Sequence, residues 1–558
     1  MKRNLQNLQD KQYDLLIIGG GMYGSALAWE AVSRGLKVAL VEKTDFAAET
    51  SGNSLKIIHG GLRYLQTMDI MRTIESIRER KTMLKIAPHL IHPLPCIMPT
   101  YGLTMKSKHV MFAGLLLNDI ISCARNFGND PQKRIGNGRV ISRRACAVEI
   151  PVLMDSNYTG AAVWYDAQAY NTERLALSFI LAAANNGADV FNYMKAISFL
   201  KNESCVCGAR VRDVLTGGEY EIRAKMVVTT AGPWTNKITG LVDSGVAPQK
   251  FILSKAMNIV LKRKITTKYA IGISSNIEFR DGKQYRRKKR RLLFVTPWRD
   301  YTIIGTSHLP YNGDADSFKV KESDVQDLLA ELNMLMPELH LQRSDVTCIH
   351  GGVLPLAKEP TPGDDVQLLP HYRIVDYTKT SQLEGLLSVV GVKYTTARDV
   401  AEKTMNLVMS KLHNDTRLFS TRQKPLPGGD MGDYRSFIAD SLNANRDILP
   451  EAVLTRLLYN YGTLYKQVIA CIKEQPELAQ PLAKDSAVIK AEVVHAVREE
   501  GALKLADVVL RRTDLGSGEC PADDCLQACA DLMAGELGWN RERINIEINQ
   551  VKEKYKPV

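Results

Sequence analysis

Apolar positions cluster early in the chain. Tyr13-Asp14-Leu15-Leu16-Ile17-Ile18 is a short apolar run of strand type. It leads straight into Gly19-Gly20-Gly21-Met22-Tyr23-Gly24, after which Ala26, Leu27, Ala28, Ala31 and Val32 recur at helical spacing as far as Arg34-Gly35. A second apolar run, Val38-Ala39-Leu40-Val41, ends in Glu42. Strand, glycines, helix, strand and terminal acid in that order predict a Rossmann-like βαβ unit. Later, Val227-Val228-Thr229-Thr230-Ala231-Gly232 reads as a β-branched strand closing in a glycine turn, and residues 251–261 and 292–305 suit a mixed sheet. Past the turn-rich break Leu426-Pro427-Gly428-Gly429, residues 459–472 and 490–510 have helical spacing and no strand pattern.

Each part of the first unit has a physical task. Gly19 makes the tight turn, Gly21 lets the backbone approach a pyrophosphate, and Gly24 permits close helix–strand packing. The helix N-terminus offers N–H groups to phosphates, and Glu42 can accept from ribose hydroxyls. An acid there disfavours a 2′-phosphate, so NAD or FAD is expected rather than NADP. The competing reading is an ordinary βα turn. Residues 50–65 separate the two cofactors: small polar residues, Ser51 and Ser54 among them, give way to His59-Gly60-Gly61, so the backbone can run close to a flat ligand. Ala231 and Gly232 form the kind of turn that lies beneath a dinucleotide.

Length and composition narrow the picture. A chain of 558 residues suggests three to four domains, and 45% apolar with 24% charged residues is ordinary globular composition. The net charge of +12 favours anionic partners without choosing among them. Ten irregularly spaced cysteines and a polar start with no apolar leader read as reduced thiols in a cytosolic compartment. The most hydrophobic stretch, residues 110–121, is well short of the roughly 20 residues that span a bilayer. An integral membrane protein is therefore not expected. Cys520, Cys525 and Cys529 match no metal-ligand spacing, and no metal is expected.

Taken together, these motifs resemble the FAD-dependent glycerol-3-phosphate dehydrogenases, flavin enzymes that pass electrons to quinone or oxygen. The resemblance rests on Thr50 to Leu65, on Phe294-Val295-Thr296-Pro297-Trp298, and on Gly391-Val392-Lys393-Tyr394-Thr395-Thr396-Ala397-Arg398. It continues through a C-terminal helical segment ending in Glu536-Leu537-Gly538-Trp539. It implies an FAD domain built from residues 13–95, 160–235 and 345–415. A mixed-sheet substrate cap would come from 96–159 and 236–344, and an all-α domain from 430–558. It also implies FAD as cofactor, sn-glycerol 3-phosphate as substrate, and quinone or another electron acceptor. His59, Arg63 and Lys393 would lie on the substrate side of the flavin, with neutral His59 as base. The competing reading of His59 is a satisfied structural histidine. Thr395 and Thr396 would begin a helix whose N–H groups steady charge on the reduced ring. The expected location is cytoplasmic, with peripheral contact to the inner face of the cytoplasmic membrane.

Several positions depart from the family pattern. Leu354 stands where a substrate-binding arginine belongs, and Pro370 aligns with a second arginine, with Arg373 near enough to compensate. His308 and His371 replace acids. A guanidinium that grips a phosphate bidentately is hard to replace. Two alternatives follow: an FAD enzyme of the same scaffold acting on another hydroxy or amino compound, or a flavin-binding protein that has lost catalysis. The basic run at 286–291 is expected to be a solvated loop, with contact to anionic lipid as its functional reading. No aromatic platform accompanies it, so nucleic acid is not an expected partner.

Overall fold

Residues 1, 3–102, 107–152, 157–242, 251–359, 366–413 and 421–557 are described by a computed structural model, with the backbone alone at residues 9 and 287–289. Five strands lie parallel in the order Leu386–Val390, Glu219–Thr229, Gln12–Ile18, Val38–Val41 and Asp189–Phe191, with Arg373–Asp376 antiparallel on one edge. The central strand is apolar on both faces because both are covered. Leu15 and Ile17 face a helical layer of Met22–Ser33, Thr172–Asn185 and Ala397–Lys411. Leu16 and Ile18 face the other layer, where Met194–Asn202 and Cys205–Asp213 extend Glu219–Thr229 as an antiparallel meander. This is the expected Rossmann-like α/β unit.

A second, nine-stranded sheet is mixed, as expected. All its pairs are antiparallel except Ala270–Arg280 against Ile91–Tyr101. It takes Ile57–Ile58, Tyr158–Ala169 and Val346–Pro355 from stretches next to the parallel sheet in sequence, so the two sheets are interleaved along the chain. Helix Glu322–Leu335 covers one face through Val325, Leu328, Leu329 and Leu332. Helix Lys108–Ile121 lies on the other, where Leu115 is its single buried residue.

The basic run is not a loop. It lies inside strand Lys283–Trp298, in a hairpin with Ala270–Arg280. Arg286 and Arg290 are exposed, whereas Arg291 is buried and ion-paired with Glu331 of the covering helix, donating also to Ser307 Oγ at 3.2 Å. A pattern of unbroken positive charge hid the strand because arginine stems cover apolar surface while their heads find partners. The C-terminal part is helical, as expected. The stretch 459–472 is two helices rather than one, though, because it breaks at Gly462 (φ 52°), where a Cβ would collide with the Gly428 carbonyl oxygen.

The helical part is held to the rest by a buried ionic seam. Arg174 donates to both oxygens of Glu500 at 2.8 and 3.0 Å and to the Arg512 carbonyl at 2.7 Å. Asp45, four residues past the second strand, accepts from Arg511 at 2.6 Å and from Arg512 at 2.7 and 2.8 Å. Tyr193 completes the seam by donating to Asp507 at 2.6 Å.

Candidate functional site

The glycine turn sits at the C-terminal end of the central parallel strand, where open α/β sheets bind their ligands. Gly19 has φ 114°, and a Cβ there would meet the Thr230 carbonyl oxygen at 2.7 Å. At Gly24 a Cβ would collide with the Gly19 carbonyl oxygen, so both positions exclude a side chain. Gly21 caps helix Met22–Ser33, and Ser51 Oγ accepts from the next N–H, that of Met22, at 3.0 Å. Thr230 Oγ1 donates to the Gly19 carbonyl at 2.8 Å, drawing the Ala231–Gly232 turn against the glycines. A cradle with no side chain over a helix N-terminus suits the pyrophosphate of a dinucleotide.

Glu42 has an additional task. Its Oε2 accepts from the Gly20 N–H at 2.8 Å, and its Oε1 from the Thr44 N–H and hydroxyl at 2.9 and 3.0 Å. Both oxygens brace the turn, and burial pushes the carboxyl pKa up. Ser54 faces Thr172, with a 3.2 Å hydroxyl contact. Asp316, from beyond the nine-stranded sheet's strand Tyr301–Tyr311, bridges the two loops beside the turn: Lys43 donates to it at 2.6 Å, and Trp234 and Lys237 reach the same carboxylate. No motif marks Asp316.

The His-Gly-Gly turn is fixed from three sides. The His59 N–H donates to Thr395 Oγ1 at 3.2 Å. The Gly60 N–H donates to Asp166, which also accepts from Arg80 at 2.9 Å and from Trp164 Nε1 at 3.0 Å. A Cβ at Gly60 would strike the Arg80 guanidinium, and Gly61 has φ 79°. Thr396 caps helix Ala397–Lys411, so Thr395 and Thr396 stand at a helix start as expected. Tyr23, in the first turn of the glycine helix, donates to the Lys393 carbonyl at 3.0 Å. Lys393 is thereby tied to the nucleotide turn.

Basic groups gather around Tyr64. The His59 ring meets it edge-on at 5.7 Å between centroids, Lys393 Nζ lies 4.3 Å from the ring centre, and the Arg72 guanidinium 4.0 Å. Burial pulls the His59 pKa down to about 4; nearby Lys393, Arg80 and Arg72 add to this, and Asp166 opposes it. His59 is therefore neutral at pH 7, as a base must be. Burial and Arg72 lower Lys393 to about 8, against Asp69 and Glu75. Arg63, by contrast, is exposed on the two-turn 3₁₀ segment Leu62–Thr67.

The departing positions separate into two places. His371 lies 3.7 Å from Asp69 Oδ2, and the Pro370 carbonyl accepts from Arg72 Nη1 at 2.8 Å, so both belong to the Tyr64 cluster. Leu354 pairs with Ser254 on the nine-stranded sheet, and His308 Nδ1 is 3.5 Å from the same serine hydroxyl. Arg373 makes no contact with the Tyr64 cluster among the described residues. It is exposed on the edge strand, 5.7 Å from the Phe251 ring, because strand pairing with Val390 sets its direction. Arg72 went unnoticed in the sequence because it lies outside every motif.

Comparison with known proteins agrees with this geometry. The family described as FAD dependent oxidoreductase matches residues 14–381, and the C-terminal domain of alpha-glycerophosphate oxidase matches residues 419–544. A glycerol-3-phosphate dehydrogenase of Synechocystis sp. is 29% identical over 99% of this chain and 98% of its own length. The human mitochondrial glycerol-3-phosphate dehydrogenase is 31% identical over 96% of this chain and 72% of its own. The crystal structure of glycerol-3-phosphate dehydrogenase from Bacillus halodurans, complexed with FAD, shares the fold with a TM-score of 0.77. It is 23% identical and covers 99% of this chain and 96% of that one.

Proposed function

The chain belongs to the FAD-dependent glycerol-3-phosphate dehydrogenase family, and we propose that it oxidises sn-glycerol 3-phosphate to dihydroxyacetone phosphate. FAD, when bound, supplies the acceptor for the hydride at N5. Gly19, Gly21 and Gly24 would hold its pyrophosphate, with Ser51 ordering the helix N-terminus and Ala231–Gly232 closing the turn. Neutral His59 takes the hydroxyl proton as the C–H bond breaks. Lys393, charged at neutral pH, attracts the substrate's phosphate. The observation that carries this reading is the imidazole of His59 on the same tyrosine ring as Lys393, which is tied to the glycine helix through Tyr23. Anaerobic addition of glycerol 3-phosphate should bleach the flavin. Bleaching by other hydroxy or amino compounds alone would move the enzyme to another substrate, as Leu354 and Pro370 would then explain. No bleaching by any compound would make it a binding protein.

The electrons are expected to pass to a membrane quinone. No helix among the described residues is long and apolar enough to cross a membrane. Peripheral contact finds its support in helix Lys108–Ile121, which exposes Val110, Phe112, Leu116, Leu117 and Ile120, with Phe127 just beyond it. Exposed apolar residues on one helix of a chain carrying +12 suit an anionic bilayer surface.

A further inference from the structure

We propose that Arg72 is the guanidinium that receives the phosphate of the substrate, filling from another helix the place that Pro370 leaves empty of an arginine. This rests on the glycerol 3-phosphate reading of the site. Arg72 belongs to helix Ile70–Ile86, far in sequence from both departing positions. Its guanidinium nevertheless reaches position 370, since Nη1 donates to the carbonyl of that residue across 298 positions. A proline offers no side-chain donor, but its carbonyl can anchor one brought from elsewhere.

Three features suit Arg72 to an anion. First, it is held in place before any ligand arrives. The Tyr64 ring lies under it at 4.0 Å, the Pro370 carbonyl holds Nη1, and Asp69, the cap of its own helix, ion-pairs with Nε at 3.0 Å. Second, its hydrogen-bonding capacity is not used up. Nε is occupied by the Asp69 ion pair, and Nη1 is the one guanidinium nitrogen with a hydrogen bond among the described residues, which leaves Nη2 to donate. Third, Arg72 and Lys393 lie against one tyrosine ring, and their mutual repulsion lowers the Lys393 pKa. Asp69 is the carboxylate in contact with this group and is shared between Arg72 and His371, while Glu75 lies farther along the helix and pairs with Lys403 at 2.6 Å. Two cations gathered on one ring, with Asp69 the acid that contacts Arg72, favour a doubly charged phosphate as a further partner. The base is close by, through the same tyrosine. A substrate anchored by its phosphate at Arg72 and Lys393 can therefore present its hydroxyl to His59.

The test compares the FAD-loaded parent with Arg72→Gln and Arg72→Lys under anaerobic conditions. Flavin reduction is followed with glycerol 3-phosphate and with glycerol, and inorganic phosphate is titrated by its perturbation of the flavin spectrum. Arg72→Gln should raise the apparent Kd for glycerol 3-phosphate roughly 10–100-fold. The limiting reduction rate should move far less, and phosphate should no longer perturb the spectrum. The penalty on glycerol 3-phosphate should exceed that on glycerol by about tenfold or more, and Arg72→Lys should recover part of the loss. Retained FAD and an unchanged flavin spectrum show that the variants fold. A Kd for glycerol 3-phosphate within twofold of the parent, with phosphate still binding, overturns the assignment. If the parent is not reduced by glycerol 3-phosphate but loses its phosphate response in Arg72→Gln, the anion site stands and the substrate reading falls. If phosphate fails to bind the parent as well, both fall.

Discussion

The main-chain N–H of His59 donates to Thr395 Oγ1 at 3.2 Å, and this bond spans 336 residues of chain to bring the imidazole to the start of helix Ala397–Lys411. Two segments read separately as motifs thus become one surface. Its protonation is set by neighbours as well as by burial, since Arg72, Arg80 and Lys393 all disfavour charge on His59.

That arrangement predicts the pH dependence of flavin reduction. The second-order constant for anaerobic reduction reports the free enzyme. It should fall on the acid side near pH 4, as His59 takes a proton, and on the alkaline side near pH 8, as Lys393 loses one. His59→Ala should lose the acid limb and roughly 10²–10⁴-fold in rate. Lys393→Ala should lose the alkaline limb and bind substrate more weakly. Stopped-flow reduction across the pH range checks both, and an acid limb near 6.5 that persists with glycerol, which has no phosphate to titrate, would show that burial does not govern His59.

Cofactor retention should depend on the glycine cradle in a graded way. At Gly21 the nearest atom to an added Cβ is Ser51 Oγ at 3.0 Å, so Gly21→Val pushes on a flexible hydroxyl while its methyl groups fill the pyrophosphate path. The expected product is folded but colourless protein. At Gly24 the obstacle is the Gly19 backbone itself, so Gly24→Ala should lower the melting temperature as well. Flavin absorbance per protein and thermal melting separate the two outcomes.

Breaking the ionic seam should cost stability and acid tolerance. Arg512→Met leaves Asp45 with Arg511 as its one arginine beside the Asn192 amide, and removing one partner of a buried pair typically costs about 3–5 kcal/mol. Asp45 is held well below the usual carboxylate range, with Arg512 and then Arg511 overcoming the burial penalty. A depressed folded pKa stabilises above the unfolded value of about 3.9 and is lost as pH falls through the folded one. The melting temperature of Arg512→Met should therefore be lower at pH 7 and lie closer to the parent's in strong acid. Equal gaps at all pH values would locate the loss in packing.

For membrane contact, helix Lys108–Ile121 and the basic hairpin give different expectations. Replacing Phe112, Leu116 and Ile120 by serine should abolish co-sedimentation with anionic vesicles, since apolar insertion provides most of the binding. Changing Arg286 and Arg290 to glutamine should weaken it by about 1 kcal/mol per charge at most, and high salt should mimic that change. Sedimentation that survives the serine variant but not the glutamine one would put the contact on the hairpin.

What could be read from the sequence follows the range of the interactions. The glycine turn was legible because Gly19, Gly21 and Gly24 act within a single βαβ unit, and so was the separate helical part. His59 and Lys393 could be named from motifs, but the contacts that set their charge could not. Arg72 carries no local signal: its meaning depends on the carbonyl of Pro370 and the ring of Tyr64, which only the tertiary fold brings to it. Arg63, named by its motif, is exposed. The strand inside the basic run was hidden for a related reason, since burial of Arg291 requires Glu331 from a helix not yet formed in any local reading.

The bond between Asp45 and Arg512 also sets a timetable. The two residues are 467 positions apart, and a ribosome adding about 5–20 residues per second needs roughly 25–95 s to cover that distance. For all of that interval the loop beside the glycine turn is on the growing chain without the arginines that neutralise its carboxylate. The glycine turn is thus synthesised well before the arginines that pair with the loop beside it. A chain released early, before Arg511 and Arg512, would carry every glycine of the cradle and still lack the ion pairs that hold the helical part beside it.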